Sequence, residues 1–180
     1  EVMRFVTLNL WGTHAPLVPR LDEAARQLGA LAPDVILLQE IRVGDGQPNT
    51  AGELAARLGP EWQMAYGCAT AGPPGTFGPG SLAGEEGLAI LARHPIDDVR
   101  TLVLPDSRPN EGRILLSAKV GGAWCHVTHL HWKVKDGIAR ERQVVAIDEA
   151  VEAIGDKKAV HVLGGDFNAA ARALDLGGLS

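Results

Sequence analysis

Cysteine is scarce in this chain: Cys68 and Cys125 are the only two. Their separation matches no metal-ligand spacing, and one pair cannot build the multi-bridge framework of a small secreted scaffold, so both are expected to be ordinary buried thiols. An excess of positive charge is also missing. Lys and Arg total 17 against 22 Asp and Glu, a formal net charge of -5. That balance argues against tight, nonspecific nucleic-acid binding as the primary role, and affinity for a polyanion would have to come from a local cluster or a bound cation. No apolar run approaches membrane-spanning length and no charged leader precedes the first strand-like segment, so a soluble protein is expected. A removed leader leaves no trace, which keeps cytoplasmic and secreted placements both open. There is no internal repeat and no linker. With 180 residues, 46% of them hydrophobic, the chain can bury one sizeable core, and residues 1–180 read as one domain.

What is present is an alternation of strand and helix signals. Met3 to Leu10 is β-rich and Gly12 breaks it. From Leu21, the apolar positions Ala24, Ala25, Leu28 and Leu31 follow helical spacing, with Pro33 as a stop. Val35-Ile36-Leu37-Leu38 is continuously apolar, as expected of a strand covered on both faces. The spacing predicts a helix over Thr50 to Leu58, a strand over Trp62 to Cys68 and a Gly/Pro-rich loop over Thr70 to Gly84. Strand signals at Leu88–Ala92, Val99–Leu104, Ile114–Val120 and Trp124–Leu130 read as one meander, with Gly121-Gly122 as a two-residue hairpin turn. Ile138 to Ile154 is helical by period, and Ala159 to Leu163 returns as a buried strand ahead of Gly164-Gly165-Asp166-Phe167-Asn168. Such an order implies a pair of mixed sheets flanked by helices rather than one parallel sheet.

Polar residues sit at the ends of separate predicted strands: Asn9, Glu40, His129, Asp166 and Asn168. Strand ends are where α/β folds place their sites. Singly, each has a plain structural explanation: a turn amide, a solvated carboxylate, a packed histidine, a helix cap. Together they offer a hard oxygen ligand for a divalent cation, a histidine able to handle protons, and an Asp/Asn pair able to orient water and a phosphoryl oxygen. Hydrolysis of a phosphoester needs that combination, because charge on phosphorus must be neutralised while water attacks in line.

The ordered blocks Thr7-Leu8-Asn9-Leu10-Trp11-Gly12, Asp34 to Glu40, Glu86 to Ile96, Thr128-His129-Leu130 and Gly165-Asp166-Phe167-Asn168-Ala169 resemble the motifs of the endonuclease/exonuclease/phosphatase superfamily. The resemblance implies a four-layer α/β/β/α sandwich and divalent-metal-dependent phosphoester hydrolysis, with Mg²⁺, or Mn²⁺ in its place, held by Glu40 and Asn9, and with Asn9 also beside the scissile phosphate. By the same resemblance, Asp166 orients or deprotonates the attacking water. Asn168 contacts phosphate, and His129 contacts phosphate or transfers a proton. In the deoxyribonuclease-like branch Glu86 supports that histidine, and Arg113 faces the substrate phosphate. The bland alternatives are a solvated loop end for Glu86 and a surface ion pair for Arg113. The substrate class stays open among nucleic acid, phospholipid headgroups and small phosphate esters.

Other polar residues carry less weight: His126 and His161 read as packed or exposed strand residues, His131 as incidental, and Arg140 and Gln143 as a solvated helix face. Trp132 reads as either a lipid contact or a buried strand-end residue. The family normally continues beyond the Gly-Asp-Phe-Asn block to an Asp-His motif, and this sequence contains no Asp-His pair. The expectation is therefore a C-terminally incomplete chain lacking its final strands. Such a chain would be a weak catalyst alone, would be completed by a segment in trans or by swapping, or would act as an inactive metal- and phosphate-binding module.

Overall fold

A computed structural model describes residues 2–44, 49–108 and 111–170. Among these, the elements run β1 (Phe5–Asn9), α1 (Leu17–Leu31), β2 (Val35–Gly44), α2 (Thr50–Leu58), β3 (Gln63–Gly72), β4 (Gly84–Ala92), β5 (Ile96–Val103), β6 (Ile114–Val120), β7 (Ala123–His129), α3 (Gly137–Ile154) and β8 (His161–Asp166). They form two four-stranded mixed sheets. The first has the order β1-β2-β4-β3, with β1 parallel to β2 and the rest antiparallel; the second has the order β5-β6-β7-β8, with β7 parallel to β8. The final strand signals of the sequence end at β8, and residues 171–180 lie outside the described residues.

Side-chain alternation explains the layering. Along β2, Val35 and Leu37 enter a core shared with the other sheet, where they meet Leu116, Ala118, Cys125 and Val127. Ile36 and Leu38 point the other way, onto Leu21 and Leu28 of α1 and Leu54 of α2. A strand packed on both faces has no polar position to spare, which is why this segment is continuously apolar. On the far side, Leu115, Leu104 and Leu130 pack against Ile147 of α3. The result is the α/β/β/α sandwich.

Helix ends follow local chemistry. α2 starts where the Asn49 side chain accepts hydrogen bonds from the backbone N–H groups of Ala51 and Gly52, satisfying two donors that have no partner within the helix. α1 begins four residues before the predicted Leu21, and it stops at Ala32, which is left-handed (φ 46°) ahead of Pro33.

Three expectations change. The meander is confined to β5, β6 and β7, because Leu88–Ala92 belongs to β4 and pairs with β2 and β3 in the first sheet. Cys68 is exposed, on an edge strand, while Cys125 is buried. Of the two readings for Trp132, the buried one falls: the residue is exposed, since the chain leaves the sheet at Leu130. No described helix is long and apolar enough to cross a membrane.

Candidate active site

β1 and β2 are parallel, as are β7 and β8, so the C-terminal ends of β1, β7 and β8 bring Asn9, His129 and Asp166 to one rim of the sandwich, level with Glu40 in the middle of β2 rather than at its end. Close approach of the sheets depends on Gly164, where an added Cβ would lie 2.7 Å from Leu37 Cδ1. Local irregularity then turns Glu40 out. The β2–β4 register slips between Leu38 and Ile41, and Glu40 takes φ 54°, as at a bulge that re-aims a side chain. The loop after β1 is tied to this turn by hydrogen bonds from Leu10 N to Gln39 O and from Gly12 N to Glu40 O.

Asn9 joins the sheets. Its Nδ2 donates to Glu40 Oε1 at 2.8 Å and stands 3.2 Å from Asp166 Oδ2, while its Oδ1 accepts from Trp11 N at 2.9 Å. The amide orientation is fixed by this set: a backbone N–H needs the oxygen, and two carboxylates need the nitrogen. Asn9 therefore orients the carboxylates and has committed its own oxygen elsewhere. Beneath it, buried Gln39 donates to Thr7 Oγ1 and to Leu37 O.

Asp166 accepts from Asn168 N through Oδ1, and Asn168 Nδ2 donates to Leu130 O at 2.9 Å. His129 is the strand neighbour of Asp166, with Nε2 3.8 Å from Oδ2. A narrow cleft gathers Glu40, Glu86, Arg113 and His129, and an adjoining one gathers Asn9, Asp166 and Asn168. All the sequence-predicted residues thus converge on one rim.

The electrostatics are those of a confined charge cluster. Burial, and then the facing carboxylate of Glu40, push Glu86 above the ordinary glutamate range, against the opposing pull of Arg42 and Arg113. Burial is also the main reason that His129 titrates below its ordinary value; the Arg113 charge works in the same direction, while Asp166, Glu40 and Glu111 oppose it. The neutral imidazole is thereby favoured near neutral pH, with one nitrogen free to donate and one to accept. Glu86 and His129 share the cleft without a hydrogen bond between them.

Glu86 lies within β4 rather than at a solvated loop end, and Arg113 is 8% exposed rather than a surface partner. Arg113 donates to Glu111 Oε1 at 3.1 Å. Glu111 also lies 3.6 Å from Nδ1 of His131, a 2% exposed histidine whose Nε2 is 3.2 Å from Asp136 Oδ2. His131 is thus built into the support of Arg113. Gln143, expected on a solvated face, is fully buried, accepting from His131 N and donating to Pro105 O. Arg140 donates to the carbonyls of His131 and Lys133. Sequence reasoning missed Glu111; its alternation with Arg113 was a weak signal, but only the fold shows that both meet His131.

Among the described residues no group of three or more His, Cys, Asp or Glu converges as a protein cage for a metal ion. One carboxylate with water and substrate oxygens completing the shell is nevertheless the habit of Mg²⁺. Glu40 fits it, with Oε1 held by Asn9 and no hydrogen bond to Oε2 among the described residues.

The amino-acid sequence matches the Endonuclease/Exonuclease/phosphatase family over residues 6–180. The chain belongs to this family. Similar solved structures include an endonuclease/exonuclease/phosphatase family protein from Leptotrichia buccalis C-1013-b, at 18% identity and TM-score 0.71, covering 94% of this chain and 69% of that one. An endonuclease/exonuclease/phosphatase from Beutenbergia cavernae DSM 12333 has 23% identity and TM-score 0.69, covering 92% of this chain and 47% of that one. A variant of the 3' phosphatase NExo from Neisseria, bound to product DNA hairpin, has 20% identity and TM-score 0.63, covering 95% of this chain and 59% of that one. These likenesses establish the fold of the family, and the chain spans between about half and two thirds of the length of these structures. No curated protein matches it. Nothing in these comparisons supports a C-terminal segment acting in trans.

Proposed function

We propose that this rim takes part in divalent-cation-dependent hydrolysis of a phosphoester. The observation that carries the reading is Asn9, one amide that draws together Glu40 from one sheet and Asp166 from the other, at 2.8 and 3.2 Å. Two carboxylates separated by 126 residues in the chain, one bulge-turned into the cleft and one beside the half-buried His129, serve no packing purpose that an apolar pair would not serve better.

Glu40 would hold the cation, Mg²⁺ or Mn²⁺, which when bound supplies neutralisation of phosphoryl charge. Asp166, fixed through Oδ1 by Asn168 N, is placed to accept a proton from the attacking water through Oδ2. Neutral His129 offers an N–H to a phosphoryl oxygen, and Arg113, steadied by Glu111, adds a fixed positive charge in the same cleft. Asn168 contributes its amide beside Asp166, and Glu86 sets the charge balance of the cleft. A nucleic acid or nucleotide is the favoured substrate class over phospholipid headgroups, supported by the product DNA hairpin in the Neisseria relative.

The test is hydrolysis of bis(4-nitrophenyl) phosphate and Mg²⁺ calorimetry on the protein and on Glu40→Ala. Metal-dependent turnover and Mg²⁺ affinity are expected to disappear in the variant while the far-ultraviolet circular dichroism stays unchanged. Turnover and Mg²⁺ affinity equal to those of the parent would refute the assignment.

A further inference from the structure

Beyond Glu86 the cleft opens into a second one of about 270 Å³, between the Gly12–Ala15 turn after β1 and the Phe77–Ser81 loop ahead of β4. Glu86 lines both, so the second cleft is the immediate neighbour of the first.

The second cleft has aromatic residues on both sides, each braced. On one side the exposed ring of His14 stacks on Trp11, with centroids 4.7 Å apart and planes at 24°. The Trp11 backbone is fixed by the hydrogen bond from its main-chain N–H to Asn9 Oδ1, and its ring has the Arg20 guanidinium 5.4 Å from its centroid. Arg20 in turn donates to the carbonyls of Leu10 and His14. On the other side Phe77 lies over the Arg42 guanidinium, 3.5 Å from its ring centroid, and the Phe77 N–H donates to Ser81 Oγ at 3.1 Å.

Arg42 supplies the positive charge of this cleft. It lines the cleft, is only 4% exposed, and is held in place by donating through its two terminal nitrogens to the carbonyls of Glu85 and Leu82. Glu86 and Ser81 line the same cleft, so it presents donors and acceptors alongside two aromatic side chains. A hydrocarbon tail would leave these polar groups desolvated without partners, and a bare sugar phosphate would leave both ring faces unused. A planar heterocycle with polar edges uses both.

We propose that this cleft is a subsite for the nucleobase of a nucleoside phosphoester, with His14 and Phe77 as its stacking residues. The proposal rests on the phosphoester reading above and narrows its substrate class. Stacking on an aromatic side chain is tolerant of base identity and contributes about 10- to 100-fold in affinity.

The experiment compares the 4-nitrophenyl esters of thymidine 5'-phosphate, of the corresponding base-free deoxyribose 5-phosphate and of methyl phosphate, with Mg²⁺ present. The thymidine ester should be favoured in kcat/KM by about 10- to 100-fold over the base-free ester. His14→Ala, Phe77→Ala and the more conservative Phe77→Leu should each shrink that preference while leaving kcat/KM for the methyl ester unchanged. Equal handling of the thymidine and base-free esters, or a preference that survives all three substitutions, would overturn the subsite. Should the methyl ester not be hydrolysed at all, the phosphoester reading fails by itself, and binding then judges the subsite. Thymidine 5'-phosphate should quench the fluorescence component that Trp11→Phe removes, deoxyribose 5-phosphate should not, and His14→Ala should abolish the difference; identical responses to the two ligands would overturn it.

Discussion

The outer face of the second sheet carries a buried histidine whose titration can be read as stability. His126, with no solvent exposure, lies 2.8 Å from Ser117 Oγ through Nδ1 and 3.1 Å from His161 Nδ1 through Nε2, and the two imidazoles are nearly coplanar at 7°. Burial, reinforced by the His161 charge, pushes His126 down from 6.5 to about 4. The folded state therefore binds fewer protons than the unfolded chain at intermediate pH, so stability rises with pH across this window. The contribution is present in full above about 6.5 and is lost progressively as pH falls to about 4. At ~1.4 kcal/mol per pH unit of displacement the whole effect is ~3 kcal/mol, of which ~2 kcal/mol is gone by pH 5. Urea unfolding of the parent protein and of His126→Asn at pH 7.5 and pH 5 separates this group from the carboxylates, which titrate in both proteins. The variant should be the less stable at pH 7.5, because Ser117 and His161 lose a partner, and its deficit should shrink by ~2 kcal/mol at pH 5. An identical deficit at the two pH values would show that His126 is not held neutral and would refute the argument.

Two further perturbations test other parts of the structure. His129→Ala should reduce kcat by ~10²–10³-fold with little change in KM, because the hydrogen bond proposed from His129 to a phosphoryl oxygen would strengthen chiefly at the barrier; steady-state kinetics in which only KM moves would reassign it to ground-state binding. Gly164→Ala should cost ~1–3 kcal/mol in denaturant unfolding, as expected of overpacking, since its Cβ would meet Leu37 Cδ1 at 2.7 Å and Thr7 Cβ at 3.4 Å; an unchanged midpoint would mean that the sheets can separate freely at this point.

Much of the architecture was legible because burial writes itself into sequence. The run Val35–Leu38 is apolar at every position because one sheet face meets the other sheet and the opposite face meets α1 and α2. The motif residues were legible for a different reason: Asn9, His129 and Asp166 end strands that parallel pairing of β1 with β2 and β7 with β8 brings together, while Glu40, expected at a strand end, sits within β2 at a bulge that turns it to the same rim. Sheet membership was not legible. Leu88–Ala92 and Ile114–Val120 have the same apolar character, and only pairing partners distant in sequence send the first to one sheet and the second to the other. Gln143 was misread because helical period gives the face of a residue relative to its own helix and not what the loops place over that face; here the backbone of His131 and Pro105 needs its amide. Glu111 gave only a weak signal because one of its partners, Arg113, is close in sequence while the other, His131, comes from a different strand end.

The rim also concentrates unfavourable backbone conformation. Of the six non-glycine residues with positive φ among the described residues, Trp11, Glu40 and Asn168 lie on it. A left-handed conformation at a residue with a β-carbon costs about 1–2 kcal/mol and persists only where surrounding contacts over-determine it. Each of the three is over-determined by the same network: Trp11 N donates to Asn9, Gly12 N donates to the Glu40 carbonyl, and Asn168 N donates to Asp166. Asn9 in turn holds Glu40 and Asp166, so the bonds that maintain the strain are those that fix the two carboxylates. Relaxing any one of the three turns would loosen a carboxylate to which the proposed function assigns a cation or a water. The strain is thus better understood as the cost of preorganising charge at the junction of the two sheets than as a defect of either one.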